Sequence, residues 1–316
     1  MKFFFLSFFF FFLSCASINC IDKLALIDQL QINDLSSSNF IIFSDNHGLA
    51  LNNQYFARMD SVRIKSKTDF AIGVGDHIKK NQAENFLEFI TNNLWWHHHF
   101  FPGIADGENE FFGSSAEDWG SGKQLLNYLS FQRASEKKMS SNGTDYYALI
   151  QIEHLNIHLI QLHFPDAPSD VNLSFHQSSK DFLVTILQNI NKTPNDFIIV
   201  GAHSYTGFWH HLLSDHEQKI LFQKTDLVVS GATHIFDRNI EHGMNNLPLI
   251  LNTGSVSMPF LFSSPGFLQV YLLKDKQGIL VVFTDLSIPP AKNNLQTRFL
   301  ITTKGKKRKV ISFKNK

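Results

Sequence analysis

The chain has 316 residues and balanced charge, with 28 Lys plus Arg against 28 Asp plus Glu, which argues against a nucleic-acid-binding surface over the folded body. Its two cysteines, Cys15 and Cys20, exclude zinc-thiolate sites, and a core of this size needs no disulfide framework. Fifteen histidines instead direct attention to metals held by imidazole, carboxylate and amide oxygen.

The chain opens on Lys2, an apolar run from Phe3 to Leu13, and Ser14-Cys15-Ala16-Ser17. A basic start, a short apolar stretch and small residues predict a secretory signal over 1–16, cleaved after Ala16. The run is shorter than the roughly 18 apolar residues of a permanent span. Lipidation at Cys15 is the alternative, and the only route by which membrane contact is expected. Next come two apolar runs, Phe40 to Ser44 and Asp69 to Val74, which read as strands covered on both faces. Helical spacing follows over Ala83 to Leu94 and again over Lys180 to Ile190. The segment 113–142 reads as a polar loop. Further strands are predicted at Tyr147–Ile152, Ile157–Leu162, Phe197–Val200, Leu227–Val229, Leu249–Leu251, Phe267–Leu273 and Ile279–Phe283, the last two joined by a turn over 274–278. Strands outnumber helices, so the expected architecture is an α/β domain over 21–290, with two sheets packed together and helices outside. The run Lys304-Gly305-Lys306-Lys307-Arg308-Lys309 predicts a solvated basic tail over 291–316.

Four of these strands end in potential ligands. Phe40–Phe43 runs into Ser44-Asp45-Asn46-His47-Gly48, and residues i and i+2 of an extended segment project to one side, so Asp45 and His47 can converge on one ion. The second strand ends in Gly75-Asp76-His77, the third in Gly201-Ala202-His203, the fourth in Gly231-Ala232-Thr233-His234. Sites outside the carboxyl ends of strands are where α/β sheets place ligands.

In this order, with Gly107-Glu108-Asn109-Glu110 between the second and third blocks, the motifs resemble those of calcineurin-like metallophosphoesterases, from about residue 38 to about 260. Asn252-Thr253-Gly254-Ser255 resembles that family's closing Gly-rich turn. The resemblance implies a four-layer sandwich, two mixed sheets flanked by helices, around a two-metal centre. Asp45, His47 and His234 would hold one metal, Asp76 would bridge, and His203 would hold the second. The implied cofactors are two divalent ions, Mn, Fe or Zn, and the implied substrate is a small phosphorylated molecule.

Two departures stand out. The family's Gly-His-x-His reads Gly231-Ala232-Thr233-His234, so one expected ligand is Ala232. The family's Gly-Asn-His-Glu reads Gly107-Glu108-Asn109-Glu110: aligned without a gap, Glu108 is the ligand, and with a slip of one residue Asn109 is. Either alignment removes the family's acid histidine, for which a water, His77 or one of His97, His98 and His99 is a candidate substitute, the alternative for the last three being a surface cluster. A single-metal enzyme is the alternative for the cofactor set. The expected function is hydrolysis of phosphomono- or diesters by an exported enzyme, through hydroxide generated at the metals, with Asp76 and Asn109 as catalytic residues. The alternative is a non-catalytic exported metal-binding protein on the same fold.

Overall fold

The computed structural model describes residues 36–46, 54–75, 77, 88–90, 92–105, 126–127, 129–163, 170–203, 213–231, 236–238, 248–256, 265–273, 278–287, 298–302 and 309–313. The signal segment and the turn at 274–277 lie outside these residues.

The chain forms two seven-stranded sheets. The first contains β1 (Ser36–Phe43), β2 (Ala71–Gly73), β3 (Phe100–Pro102), β11 (Gly266–Leu273), β12 (Gly278–Asp285), β13 (Arg298–Thr302) and β14 (Lys309–Phe313). Its order is β14-β13-β12-β11-β1-β2-β3, with β1, β2 and β3 parallel and the rest antiparallel. The second contains β4 (Ala134–Met139), β5 (Tyr146–Ile152), β6 (Leu155–Leu162), β7 (Asp196–Ala202), β8 (Leu227–Ser230), β9 (Phe236–Arg238) and β10 (Leu249–Thr253). Here the order is β4-β5-β6-β7-β8-β10-β9, with β6, β7, β8 and β10 parallel. Both sheets are therefore mixed.

Side-chain alternation decides which face meets which layer. On β6 and β7, Ile157, Leu159, Phe197 and Ile199 join the cluster between the sheets, with Phe40, Ile42 and Leu268 among the residues of the first sheet. Ile160, Leu162, Ile198 and Val200 point the other way, onto Leu183, Ile186 and Leu187 of α3 (Asp170–Asn189) and Leu221 of α4 (Asp215–Lys224). Buried Phe56 and Met59 of α1 (Gln54–Ser66) and Trp96 of α2 (Leu94–His99) pack with the first sheet. Ser214 caps α4 in a reciprocal pair with Glu217, satisfying two otherwise orphaned N–H groups.

All the predicted strands are present, and the predicted 180–190 helix is the second half of α3. Within 83–94, residues 88–90, 92 and 94 are helical, the last opening α2, and 83–87 and 91 lie outside the described residues. Two expectations need correction. The loop expected over 113–142 contains β4, whose exposed Ser135, Glu136 and Lys138 suit the rim of a sheet. The basic tail contributes β13 and β14, because Phe299 and Ile301 alternate into the core on either side of Leu300. The lysine run masked that period-2 signal.

Candidate metal centre

The carboxyl ends of the parallel strands of both sheets meet at one edge. Asp45 follows β1 and His203 follows β7, strands of different sheets, yet His203 Nε2 lies 3.7 Å from Asp45 Oδ1. Asp45 is fully buried and the His203 side chain nearly so. Two of the ligands expected from sequence are thus brought together.

Both side chains are held from behind. The His203 Nδ1–H donates to the Val74 carbonyl oxygen at 3.0 Å, which fixes the tautomer and turns the Nε2 lone pair toward Asp45. Ser44 Oγ touches Asp45 Oδ2, Thr253 Oγ1 at 2.7 Å and the Gly254 carbonyl at 2.8 Å. A hydroxyl has one proton; donation to the carboxylate is the strongest of the choices, with Thr253 then donating to Ser44. The Asp45 backbone is pinned as well: its N–H donates to Gly75 O at 3.2 Å and its carbonyl accepts from Ser255 Oγ at 2.9 Å. Asp45 sits at φ 50°, the left-handed region, which costs a non-glycine residue energy and recurs at functional sites.

Glycines let the strand ends close in. At Gly231 a Cβ would meet Ser44 Cβ at 2.7 Å and Asp45 Oδ2 at 2.9 Å. At Gly75, whose φ is +92°, it would meet His203 Cβ at 2.9 Å. The sheets are stitched together just below: Gln161 Nε2 of β6 donates to Gly73 O of β2 at 2.8 Å, and Tyr146 OH of β5 donates to Pro102 O of β3 at 2.9 Å.

The donor set suits a divalent metal. A buried carboxylate and an imidazole with its Nε2 aimed inward lie 3.7 Å apart, so both would be available as ligands at one divalent-metal centre. A buried carboxylate also calls for a nearby positive charge. Among the described residues, no three His, Cys, Asp or Glu side chains form a ligand group. The other expected ligands, His47, Asp76, Glu108, Asn109 and His234, lie outside the described residues, as does Ala232.

The proposed substitutes for the acid histidine are corrected by the structure. His77 is fully buried between the rings of Phe43 and Phe100, accepts Gly75 N–H at Nε2 (3.1 Å) and bonds Asn46 Oδ1 through Nδ1 (2.5 Å). It props up the two loops that carry Asp45 and Asp76. His97, His98 and His99 close α2 and precede β3, so they occupy the amino edge of the parallel strands, the length of β3 away from the site. Sequence reasoning assigned no role to Ser44, Ser255 or Val74. Ser44 and Ser255 are read within motifs, but their roles depend on contacts across more than 200 residues of sequence.

A second polar cluster borders this edge. His163, following β6, lies beside His203 across the parallel pairing that ends at Leu162 and Ala202. Burial, with His203 and His176 nearby, brings His163 down to about 3, so it is a neutral imidazole. Burial raises the Asp145 carboxyl to about 6, although it accepts hydrogen bonds from the His163 N–H (2.7 Å), Asn142 and Ser179.

No family model matches the sequence, and no curated protein matches it. Solved structures do. A dimetal phosphatase from Danio rerio matches with a TM-score of 0.53 at 11% identity, covering 80% of this chain and 97% of its own. A phosphatase from Mycoplasma pneumoniae matches with a TM-score of 0.44 at 12% identity, covering 89% and 94%. At such identities the likeness concerns fold. Two mixed sheets with flanking helices, the strand-end site and the first of these matches agree: the chain has the calcineurin-like metallophosphoesterase fold.

Proposed function

We propose that the protein is a metal-dependent phosphoesterase acting on small phosphorylated substrates. The observation that carries this reading is the meeting of Asp45 and His203, from different sheets, at the shared carboxyl edge. Divalent ions such as Mn, Fe or Zn would supply a strongly acidified water and neutralise phosphoryl oxygens. The chain's residues do the holding and orienting. Ser44 keeps its hydroxyl proton on Asp45 Oδ2, leaving Oδ1 toward His203. His203 keeps its proton at Nδ1 against Val74 O, leaving Nε2 to bind. His47, Asp76 and His234 are proposed to complete the ligand set, with Glu108 or Asn109 contributing from the third block. Asp76 is proposed to bridge a metal pair; Ala232 in place of a histidine makes the second position the weaker one. His77, with both nitrogens committed, orients loops and does not protonate the leaving group. Export is proposed on the Lys2–Ser17 segment, and N-terminal sequencing of the mature protein would test it, with a start at Ser17 expected.

The test is hydrolysis of p-nitrophenyl phosphate and bis-(p-nitrophenyl) phosphate with added Mn²⁺, for the natural chain and for Asp76→Asn. Turnover that collapses to background in the variant supports the proposal. Equal background rates for both would leave a metal-binding protein without catalysis.

A further inference from the structure

The amino edge of the first sheet carries a cluster that the phosphoesterase reading does not use. The end of α2 presents His97 and His98, whose Nδ1 atoms lie 3.2 Å apart with ring centroids 4.8 Å apart. Ser130 Oγ is 2.8 Å from His98 Nδ1 and donates to the His97 carbonyl at 3.3 Å, which ties the pair to the segment after Leu129. Both histidines are part-exposed. Their neighbour His99 stacks flat on Trp95 and bonds its carbonyl through Nδ1, bracing the helix end.

Metal–imidazole bonds of about 2.0–2.1 Å put neighbouring ligand nitrogens about 2.9 Å apart in square-planar and about 3.4 Å apart in tetrahedral geometry. The observed 3.2 Å falls between. The nearby cations are compensated: Arg63 pairs with Asp60 at 2.5 Å and Arg133 with Asp69 at 3.0 Å. We infer that His97 and His98 form a second metal site, for one late divalent transition ion, at the sheet edge opposite the phosphoesterase centre. Copper(II) is the tightest-binding candidate for two imidazoles, with nickel and zinc behind it. In the free protein one ring carries its proton at Nδ1, between the two nitrogens; for the ion to bind there that ring takes its proton at Nε2 instead, by exchange through solvent, and water fills the remaining positions.

The inference stands apart from the proposed hydrolysis. The full chain is saturated with Mn²⁺, titrated with Cu²⁺ by calorimetry, and compared with the His97→Gln/His98→Gln variant. The expected result is one Cu²⁺ equivalent lost in the variant, with phosphoesterase turnover unchanged. Electron paramagnetic resonance of both proteins provides a second reading: nitrogen splitting from two imidazoles is expected in the natural chain and is expected to be missing from the variant's matching copper signal. Equal Cu²⁺ stoichiometry in the two proteins, or copper spectra that do not differ between them, would overturn the assignment.

Discussion

Asp45 combines a left-handed backbone, a fully buried carboxylate and a hydroxyl neighbour that occupies one of its oxygens. Left-handed geometry costs a side-chain-bearing residue about 1–2 kcal/mol, so the position trades stability for placement. Asp45→Gly is therefore expected to keep or raise the melting temperature while abolishing Mn²⁺-dependent turnover; thermal melts beside rate assays check this. Asp196, at the start of β7, makes the opposite case. Burial works against its ionisation, but the Thr193 N–H (2.6 Å), Asn156 Nδ2 (2.9 Å) and His158 Nε2 (3.1 Å) outweigh it, bringing the carboxyl to about 2. A depressed carboxyl contributes stability above its unfolded value near 3.9, and that contribution disappears as pH falls toward 2. Asp196→Asn should cost on the order of 1–2 kcal/mol at pH 7 and progressively less as pH falls toward 2, read from urea denaturation across that range.

At the level of elements, the site exists because strand ends approach one another over glycine. Gly75→Ala places a Cβ against both Ala105 and His203 and forces a φ of +92° on a residue that disfavours it. A loss of about 1–3 kcal/mol is expected, with a larger relative fall in Mn²⁺ affinity than in stability, because His203 is the group displaced. Metal titration and denaturation on the same variant separate the two effects. The elements that build this edge were legible in the sequence. The strands β1, β7 and β8 are near-continuous apolar runs ended by Gly, Asp or His, and burial on both faces produces that pattern. By contrast β3 is three residues long and emerges straight from a histidine-ended helix, so no period develops. The helix α1 mixes Arg58, Arg63 and Lys65 among its apolar residues, and Arg63 is itself buried over the Trp95 ring. His97–His99 stood open in the sequence, as acid substitutes or as a surface cluster, because order along the chain says nothing about which end of a strand faces a ligand. His77 was misjudged for a related reason: its aromatic box is assembled from residues 34 positions upstream and 23 downstream, Phe43 and Phe100.

The whole molecule depends on two sheets held in register by side chains that bond across the gap. Gln161, Tyr146, Ser44 and Ser255 each bond to the opposite sheet's strand ends. The fold class followed from the sequence pattern, but the far edge of the first sheet did not, since β13 and β14 flank a lysine-rich run. Deleting 291–316 removes buried Phe299 and Ile301 and bares the β12 edge. At about 1.5–3 kcal/mol per large apolar side chain, the loss approaches the stability of an ordinary domain. The truncated chain is expected to aggregate or melt well below the natural one, which light scattering and calorimetry would detect. The central claim is that sequence-distant residues from both sheets converge on divalent metal, and anomalous diffraction from crystals grown with Mn²⁺ tests it most directly. The account predicts anomalous signal at the Asp45–His203 edge, within bonding distance of Asp45, of His203 or of both; a well-ordered pair with no peak beside either would contradict it.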